Sequence, residues 1–320
     1  MFERMLAIFG ISLVVTLVIM PILIPYLHKI KFGQSIRDEG PQHHKKKTGT
    51  PTMGGIVFVI IPILALVLLY PESIKDPKMH IILLAYVGYA LIGFIDDFII
   101  VVKKNNEGLK PKYKFLLQSL LAVIFYFMYT NISDTTILVP LLNMKLDLGI
   151  FYFGLIFIMF TAESNAVNLT DGLDGLCAGT ALIAFAPFII FALMQENYHV
   201  ATFLIAVCGS LLGYLKFNLH PAKIFMGDTG SLALGGLLAS VAMVLKQELL
   251  LVIIGAVFLL EVISVMIQVI SFKTTGKRVF KMAPFHHHLE LSGYSETQVV
   301  ILLWGLAFIF SLVGLIIGVI

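Results

Sequence analysis

Two adjacent aspartates, Asp96 and Asp97, lie at the end of the apolar run MHIILLAYVGYALIGFIDDF. Carboxylates at membrane depth are costly unless they are paired, hydrated or bound to a metal. If a helix begins near Met79 and rises about 1.5 Å per residue, Asp96 lies roughly 26 Å along it, close to the far edge of a ~30 Å hydrocarbon layer. The pair is therefore either the polar boundary of a span or a site for a divalent metal or proton transfer, and Mg²⁺ favours such oxygen ligands.

A second group of polar side chains lies in the segment NLTDGLDG. Asn168, Asp171 and Asp174 recur every third residue, which places them along one side of a helix if the segment is helical. Gly172 and Gly175 also allow a turn, so a plain Asp-Gly turn is the alternative.

The segment MGDTGSLALGG is the most specific signal. Asp228, Thr229 or Ser231 can cap the helix that is predicted to follow. A helix start also presents free N–H groups and a partial positive charge, and the flanking Gly227 and Gly230 allow phosphate to approach the backbone closely. Asp228 is then available as a metal ligand that faces the same phosphate.

Basic groups accompany these acids. The lysines at 45, 46 and 47 either meet anionic lipid and set the orientation in the membrane or bind substrate. Three consecutive histidines, His286, His287 and His288, cannot all reach one metal ion comfortably. They are either surface residues without a special role or groups that recognise an anion or a sugar.

Composition places these motifs in a membrane protein. Of the 320 residues, 59% are hydrophobic and 13% are charged, which excludes an ordinary soluble domain. Residues 5–28 are predicted to be a retained first span, because no small-residue cleavage site follows them. Cys177 and Cys208 lie in apolar stretches and are predicted to be buried thiols without a disulfide. No repeat or linker is evident, so residues 1–320 are predicted to form a single transmembrane domain.

The hydropathy pattern predicts an all-α polytopic protein with about ten transmembrane helices. The predicted spans are 5–28, 53–70, 80–101, 115–130, 150–166, 175–194, 199–215, 230–246, 249–271 and 297–319. Most of the 22 lysine and arginine residues fall in connections on one side, which predicts a cytoplasmic location for that side and extracytoplasmic termini. All the motifs above lie on the cytoplasmic side. The outer connection 131–149 contains two possible short strands, TTILVP and LLNMKLDL.

Carboxylates, lysines and a glycine-flanked helix start on one face are typical of phosphoryl transfer. The phosphate-binding pattern GxxxxGK[ST] is missing, its nearest relative being SFKTTGKRVF, which disfavours ATP-driven work. The pattern therefore predicts an enzyme that joins a soluble phosphorylated donor to a lipid acceptor. A transporter is the alternative, although it would place its acids near the midplane on broken helices. A scaffold protein would not need this many polar motifs on one side.

The motifs also resemble a known family. GPQHHKKKTGTPTMGG, GFIDDF, NAVNLTDGLDGL, FNLHPAKIFMGDTGSLALGG and MAPFHHHLE are similar to the signatures of the phospho-N-acetylmuramoyl-pentapeptide transferases, a branch of the polyprenyl-phosphate N-acetylhexosamine-1-phosphate transferases. They occur in the family's order across residues 40–290. The uninterrupted HHHLE after MAPF resembles the muramoyl-pentapeptide branch, and the N-acetylglucosamine branch is the alternative.

The resemblance implies a reaction, a cofactor and partners. UDP-N-acetylmuramoyl-pentapeptide and undecaprenyl phosphate would give undecaprenyl-diphospho-N-acetylmuramoyl-pentapeptide (lipid I) and UMP, with Mg²⁺, as a step of peptidoglycan synthesis. The protein would be a multi-pass protein of the bacterial cytoplasmic membrane, commonly a homodimer, with no nucleic-acid partner.

The resemblance also implies roles for individual residues. Asp228 would be the Mg²⁺ ligand and, together with Asp96 and Asp97, a catalytic residue. The residues that would bind the nucleotide sugar are Lys47, Thr52, Lys114, Asn168, Asp171, Asp174, Asn218, Ser231, His286, His287 and His288.

Overall fold

A computed structural model describes residues 1–29, 47, 49–103, 108–142 and 144–320. Apart from one hairpin, the regular structure of these residues is helical. The helices are α1 (Phe2–Lys29), α2 (Gly55–Leu69), α3 (Pro77–Lys103), α4 (Pro111–Tyr129), α5 (Phe151–Thr170), α6 (Leu176–Met194), α7 (Tyr198–Asn218), α8 (Gly227–Val244), α9 (Glu248–Ile254), α10 (Ala256–Thr275), α11 (Phe285–Glu290) and α12 (Glu296–Val319).

The all-α polytopic membrane fold is confirmed. In the described part of the chain, eight helices are long and apolar enough to cross a membrane. The remaining predicted spans correspond to α2, an apolar helix of 15 residues, and to α4, whose first turn carries Lys112 and Lys114. The ninth predicted span is interrupted at Gly255, which separates α9 from α10. The number of crossings and the side on which the termini lie stay predictions.

The predicted strands in the 131–149 connection are confirmed. Strands β1 (Thr136–Val139) and β2 (Met144–Asp147) pair antiparallel. Lys246, just beyond α8, donates hydrogen bonds to the carboxylate of Asp134 at 2.8 Å and to the backbone carbonyl of Thr136 at 3.0 Å. The bond from Lys246 holds the pKa of the Asp134 carboxyl well below its usual range. This ion pair fixes the hairpin to the end of the helix bundle opposite the polar motifs.

Helix α8 is the centre of the bundle. Every residue from Thr229 to Val244 is buried, and the helix packs against α3, α5 and α2. Its many glycine, alanine and serine residues allow neighbouring backbones to approach closely, as in other membrane helices. At the end that carries the polar motifs, a Cβ atom on Gly93 of α3 would overlap the backbone carbonyl of Asp228. The α3–α8 contact therefore requires glycine at this position.

The other helices surround this core. Helix α1 packs along α7, where the hydroxyls of Thr16 and Ser210 hydrogen-bond at 2.6 Å. Helix α12 packs against α6 and α9, and Trp304 Nε1 donates to the carbonyl of Leu176 at 3.2 Å. Cys177 and Cys208 are free thiols, as predicted.

Candidate active site

The first turn of α8 is held by a carboxylate from another helix. Asp97 of α3 accepts hydrogen bonds from the backbone N–H of Asp228 at 3.1 Å, from that of Thr229 at 2.9 Å and from the Thr229 hydroxyl at 2.6 Å. The prediction that Asp228, Thr229 or Ser231 caps this helix is therefore wrong, because the buried Asp97 satisfies two of the free backbone N–H groups of the first turn instead. These N–H groups are also unavailable to a phosphate, which argues against phosphate binding at this helix start.

Thr52 and Gly227 lie beside this cap. Gly227 has a φ of +70°, a conformation that glycine adopts without strain, and a Cβ there would overlap both the Asp97 carboxylate and the Thr52 hydroxyl. The chain around Thr52 is fixed by backbone hydrogen bonds from Phe225 N to the carbonyl of Pro51 at 2.8 Å and from Gly54 N to the carbonyl of Phe225 at 2.9 Å. The predicted motifs around residues 52 and 228 are thus packed directly together.

The carboxylate of Asp228 faces two polar side chains from other helices. Asn168 of α5 donates to Asp228 Oδ1 at 2.8 Å and to the Ser231 hydroxyl at 2.8 Å. The ammonium group of Lys114 forms a short ion pair with Asp228 Oδ2 and lies 4.0 Å from Asp96 Oδ1. The Asp228 side chain is 24% exposed, whereas Asp96 and Asp97 are buried, so Asp228 is the most accessible of these three carboxylates.

Asp171 adds a fourth carboxylate to this group. It follows the last residue of α5, and the chain turns from there to α6, so the Asp-Gly turn is observed in place of a continuous helix. Burial, together with the charges of Asp228, Asp97 and Asp174, raises the pKa of the Asp171 carboxyl well above its usual range. We call Asp96, Asp97, Asp171 and Asp228 the acidic cluster.

The donor set of the acidic cluster suits a hard divalent cation. Lys114 pairs with Asp228 and lies near Asp96, so in the described part of the chain the carboxylates of the cluster outnumber the ammonium groups that pair with them. Carboxylate oxygens are the protein ligands that Mg²⁺ typically takes, one or two at a time, with water and phosphate completing its coordination. The donor set of the acidic cluster therefore fits a divalent cation such as Mg²⁺.

A second group of charges lies around Lys47. The Lys47 ammonium donates to Asp174 Oδ1 at 2.7 Å and to Glu296 Oε1 at 2.5 Å. His220 Nδ1 lies 2.9 Å from Asp174 Oδ2, which also accepts from the backbone N–H of Ala222 at 3.0 Å. We call Lys47, Asp174, His220 and Glu296 the lysine cluster, which lines a cavity of about 550 Å³.

The lysine cluster could also be considered as a metal site. One ligand atom each of Asp174, His220 and Glu296 lies within 4.8 Å of the others. However, the Lys47 ammonium already bonds to both carboxylates and compensates one of their two negative charges. By this electrostatic criterion the acidic cluster is the better place for a cation.

Asn218, at the end of α7, joins two loops of the site. Its Oδ1 accepts from the backbone N–H of Gly175 at 3.1 Å, and its Nδ2 donates to the carbonyl of Ile224 at 2.9 Å. The side chain is buried, so it is a structural connection between the Asp171–Gly175 turn and the chain that leads to α8.

Replacing Asn218 by alanine should therefore lower the stability of the protein. Each buried group left without a partner costs about 1–3 kcal/mol, so we expect a loss of roughly 2–4 kcal/mol in the free energy of unfolding. Thermal unfolding of the detergent-solubilised protein measures the effect. Asn131→Ala is the matched control, because the Asn131 amide bonds to a carbonyl at an exposed position. An equal and small change in the unfolding temperature of both variants would contradict this structural role of Asn218.

The three histidines point in different directions. His286 is completely buried, with Nδ1 3.1 Å from Glu261 Oε2 and its ring against Gly172. His287 Nδ1 lies 2.8 Å from Glu290, and the ring of His288 packs against the rings of Phe280 and Phe285. His286 thus packs against the Asp171–Gly175 turn. A role of His286, His287 and His288 in substrate binding stays a prediction.

The structure thus brings most of the predicted residues to one end of the bundle. Around the acidic cluster lie Thr52, Lys114, Asn168 and Ser231, and the Asp171–Gly175 turn links them to Lys47, Asp174, Asn218 and His286. Lys45 and Lys46 lie outside the described residues. The sequence motifs missed Glu296. The pattern Ser295-x-x-Gln298, a capping box, would have located its helix start but not its partners.

A helical membrane bundle with carboxylates, lysine and amide groups gathered at one end suits an enzyme that transfers phosphorylated groups at a membrane surface. In agreement, the model of glycosyl transferase family 4 matches residues 79–246. Phospho-N-acetylmuramoyl-pentapeptide-transferases of Bacillus anthracis (strain A0248), Bacillus thuringiensis (strain Al Hakam) and Bacillus cereus (strain AH187) are each 53% identical to the chain over 312 residues, 97% of this chain and 96% of the relative. The chain belongs to the phospho-N-acetylmuramoyl-pentapeptide transferase family and is a multi-pass protein of the bacterial cell membrane.

Proposed function

We propose that this protein transfers phospho-N-acetylmuramoyl-pentapeptide from UDP-N-acetylmuramoyl-pentapeptide to undecaprenyl phosphate. The products would be lipid I and UMP, and the reaction would be the first membrane step of peptidoglycan synthesis. The 53% identity to transferases of this name over nearly the whole chain carries the proposal. The reaction brings two anionic groups together, a diphosphate donor and a lipid phosphate, and so requires positive charge nearby. The acidic cluster, which suits a divalent cation, and the ammonium group of the lysine cluster support the proposal for this reason.

We assign the Mg²⁺ ion of this reaction to Asp228, with Asp96 nearby. When bound, Mg²⁺ would offset the charge of the phosphates and of the departing UMP. Lys114, which contacts Asp228 and faces Asp96, places a further positive charge where the phosphates would meet. Fixed positive charge of this kind stabilises a phosphoryl group in transfer because it needs no reorganisation during the reaction.

The lipid phosphate would attack the sugar-proximal phosphorus directly. It is already an anion at neutral pH, and Asp96 could accept any remaining proton. The alternative, an aspartyl-phosphate intermediate, requires a free carboxylate oxygen as the nucleophile. Asp97 is a poor candidate for that role because both of its oxygens accept hydrogen bonds from the first turn of α8. We therefore assign Asp97 to positioning Asp228.

The nucleotide part of the donor would occupy the cavity at the lysine cluster. That cavity adjoins the Asp171–Gly175 turn and offers the ammonium of Lys47, the carboxylate of Asp174 and the imidazole of His220 for polar recognition. The alternative donor is UDP-N-acetylglucosamine, used by the sister branch of the superfamily. A transporter is disfavoured because the acids gather at one end of the bundle. We also propose a homodimer, as the family resemblance implies.

The decisive experiment offers both donors to the purified protein, with undecaprenyl phosphate and Mg²⁺. We expect a lipid-linked product and UMP only from UDP-N-acetylmuramoyl-pentapeptide, and no product when the metal is chelated. Turnover of the N-acetylglucosamine donor alone would contradict the proposal. A reaction with labelled donor but no lipid acceptor completes the design, because labelled protein in this sample would show a covalent intermediate.

A further inference from the structure

Glu296 is a buried carboxylate at the first residue of α12, beside the cavity proposed for the donor. One of its oxygens, Oε1, accepts hydrogen bonds from Lys47 Nζ at 2.5 Å and from the backbone N–H of Asp174 at 2.8 Å. The other oxygen lies 3.4 Å from His220 Nδ1. A single side chain thus connects α12 with Lys47, with the turn that carries Asp174 and with the loop after α7.

The charges around Lys47 explain why this connection matters. Lysine has a long side chain with many rotamers, so one carboxylate partner holds its ammonium group only loosely. Here the ammonium bonds to Asp174 and to Glu296 at once. The side chains of Asp174 and Glu296 are 1% and 6% exposed, so water screens these ion pairs weakly. Two buried carboxylates therefore restrict Lys47 to one place at the edge of the cavity.

We infer that Glu296 is a positioning residue of the donor site, which holds Lys47 and Asp174 in their binding arrangement before the nucleotide sugar enters. The inference rests on the proposed function, which assigns Lys47 and Asp174 to donor binding. Glu296 acts through these two groups, because its Oε1 accepts hydrogen bonds from both of them. Pre-organisation of this kind strengthens binding because less freedom is lost when the ligand enters.

The test compares Glu296→Gln with the wild-type protein. Glutamine keeps an oxygen for the Asp174 N–H but loses the charge that fixes Lys47. Since a hydrogen bond between charged groups contributes more than a neutral one, we expect the Kd for UMP and the KM for the donor to rise about tenfold. The kcat at saturating donor and the Mg²⁺ dependence should change less than about twofold. Glu296→Asp, which keeps the charge on a shorter side chain, should have a Kd for UMP between those of the wild type and Glu296→Gln.

Gln298→Ala is the matched control for a merely structural effect. The Gln298 side chain accepts from the backbone N–H of Ser295 at 2.9 Å and completes the capping box of α12, but it does not take part in the lysine cluster. This variant loosens the same helix start while the ion pairs persist. We expect its affinity for UMP to match that of the wild type. An equal loss of affinity in Gln298→Ala and Glu296→Gln would overturn the inference.

A double-mutant cycle separates action through Lys47 from a direct effect. If Glu296 works through Lys47, the double variant Lys47→Gln/Glu296→Gln should bind UMP about as weakly as Lys47→Gln alone. If the losses of UMP binding free energy in the two single variants added fully in the double variant, the inference would be overturned. The same holds if Glu296→Asp bound UMP more weakly than Glu296→Gln. The failures are distinguishable: a wild-type protein that does not use the donor contradicts the proposed function, whereas an active wild type with unchanged Glu296→Gln contradicts only the role of Glu296.

Discussion

Replacing Asp228 by asparagine should lower kcat by about a thousandfold or more while leaving the protein folded. Asparagine has nearly the same shape and can still accept a hydrogen bond from Asn168. It cannot provide the negative charge that pairs with Lys114 and that we assign to Mg²⁺. Losing one group that stabilises developing charge typically costs a factor of 10²–10³, and loss of the metal adds to this.

The measurement is turnover of UDP-N-acetylmuramoyl-pentapeptide over a range of Mg²⁺ concentrations. The variant should need more Mg²⁺ for whatever activity remains. Asp134→Asn is the matched control, because Asp134 is also paired with a lysine but lies with the β-hairpin at the opposite end of the bundle. That control should retain wild-type kcat. A kcat for Asp228→Asn within about threefold of wild type would end the metal assignment.

Replacing Gly93 by alanine should reduce kcat by about a hundredfold, although Gly93 carries no functional group. The new Cβ would overlap the carbonyl of Asp228 and the N–H of Thr229, so α3 and the first turn of α8 must move apart. A displacement of about 1 Å in a catalytic group can cost a factor of 10². Overpacking typically costs about 1–3 kcal/mol of stability, partly offset by the better helix propensity of alanine.

Gly88→Ala is the matched control on the same helix. The new Cβ at position 88 would lie 2.8 Å from Cδ1 at the end of the Leu121 side chain. That flexible side chain can rotate away from the new methyl group. We therefore expect a similar or smaller change in thermal unfolding and a nearly unchanged kcat. Wild-type activity in Gly93→Ala would show that the position of Asp228 tolerates this movement.

The membrane class and most helices could be predicted from the chain because hydropathy is a local property that can be summed along a window. The predicted spans 80–101 and 175–194 correspond closely to α3 and α6, and the two short strands after α4 were also predicted, although their pairing was not. The break at Gly255 was missed because the chain is apolar both before it, in α9, and after it, in α10. Local composition does not reveal where packing interrupts a helix.

For the site, the sequence indicated which residue types could do chemistry and that they would share one end of the bundle. It did so because the motifs contain groups that are costly in a membrane and because basic residues reveal orientation. Which groups contact each other depended on the arrangement of helices far apart in the chain. Asp97 caps α8, Lys47 bonds to Glu296, and His286 is buried against Glu261 only because α3, α10 and α12 pack where they do. Electrostatic partners are chosen by distance in space, and sequence spacing does not encode that distance for residues on separate helices.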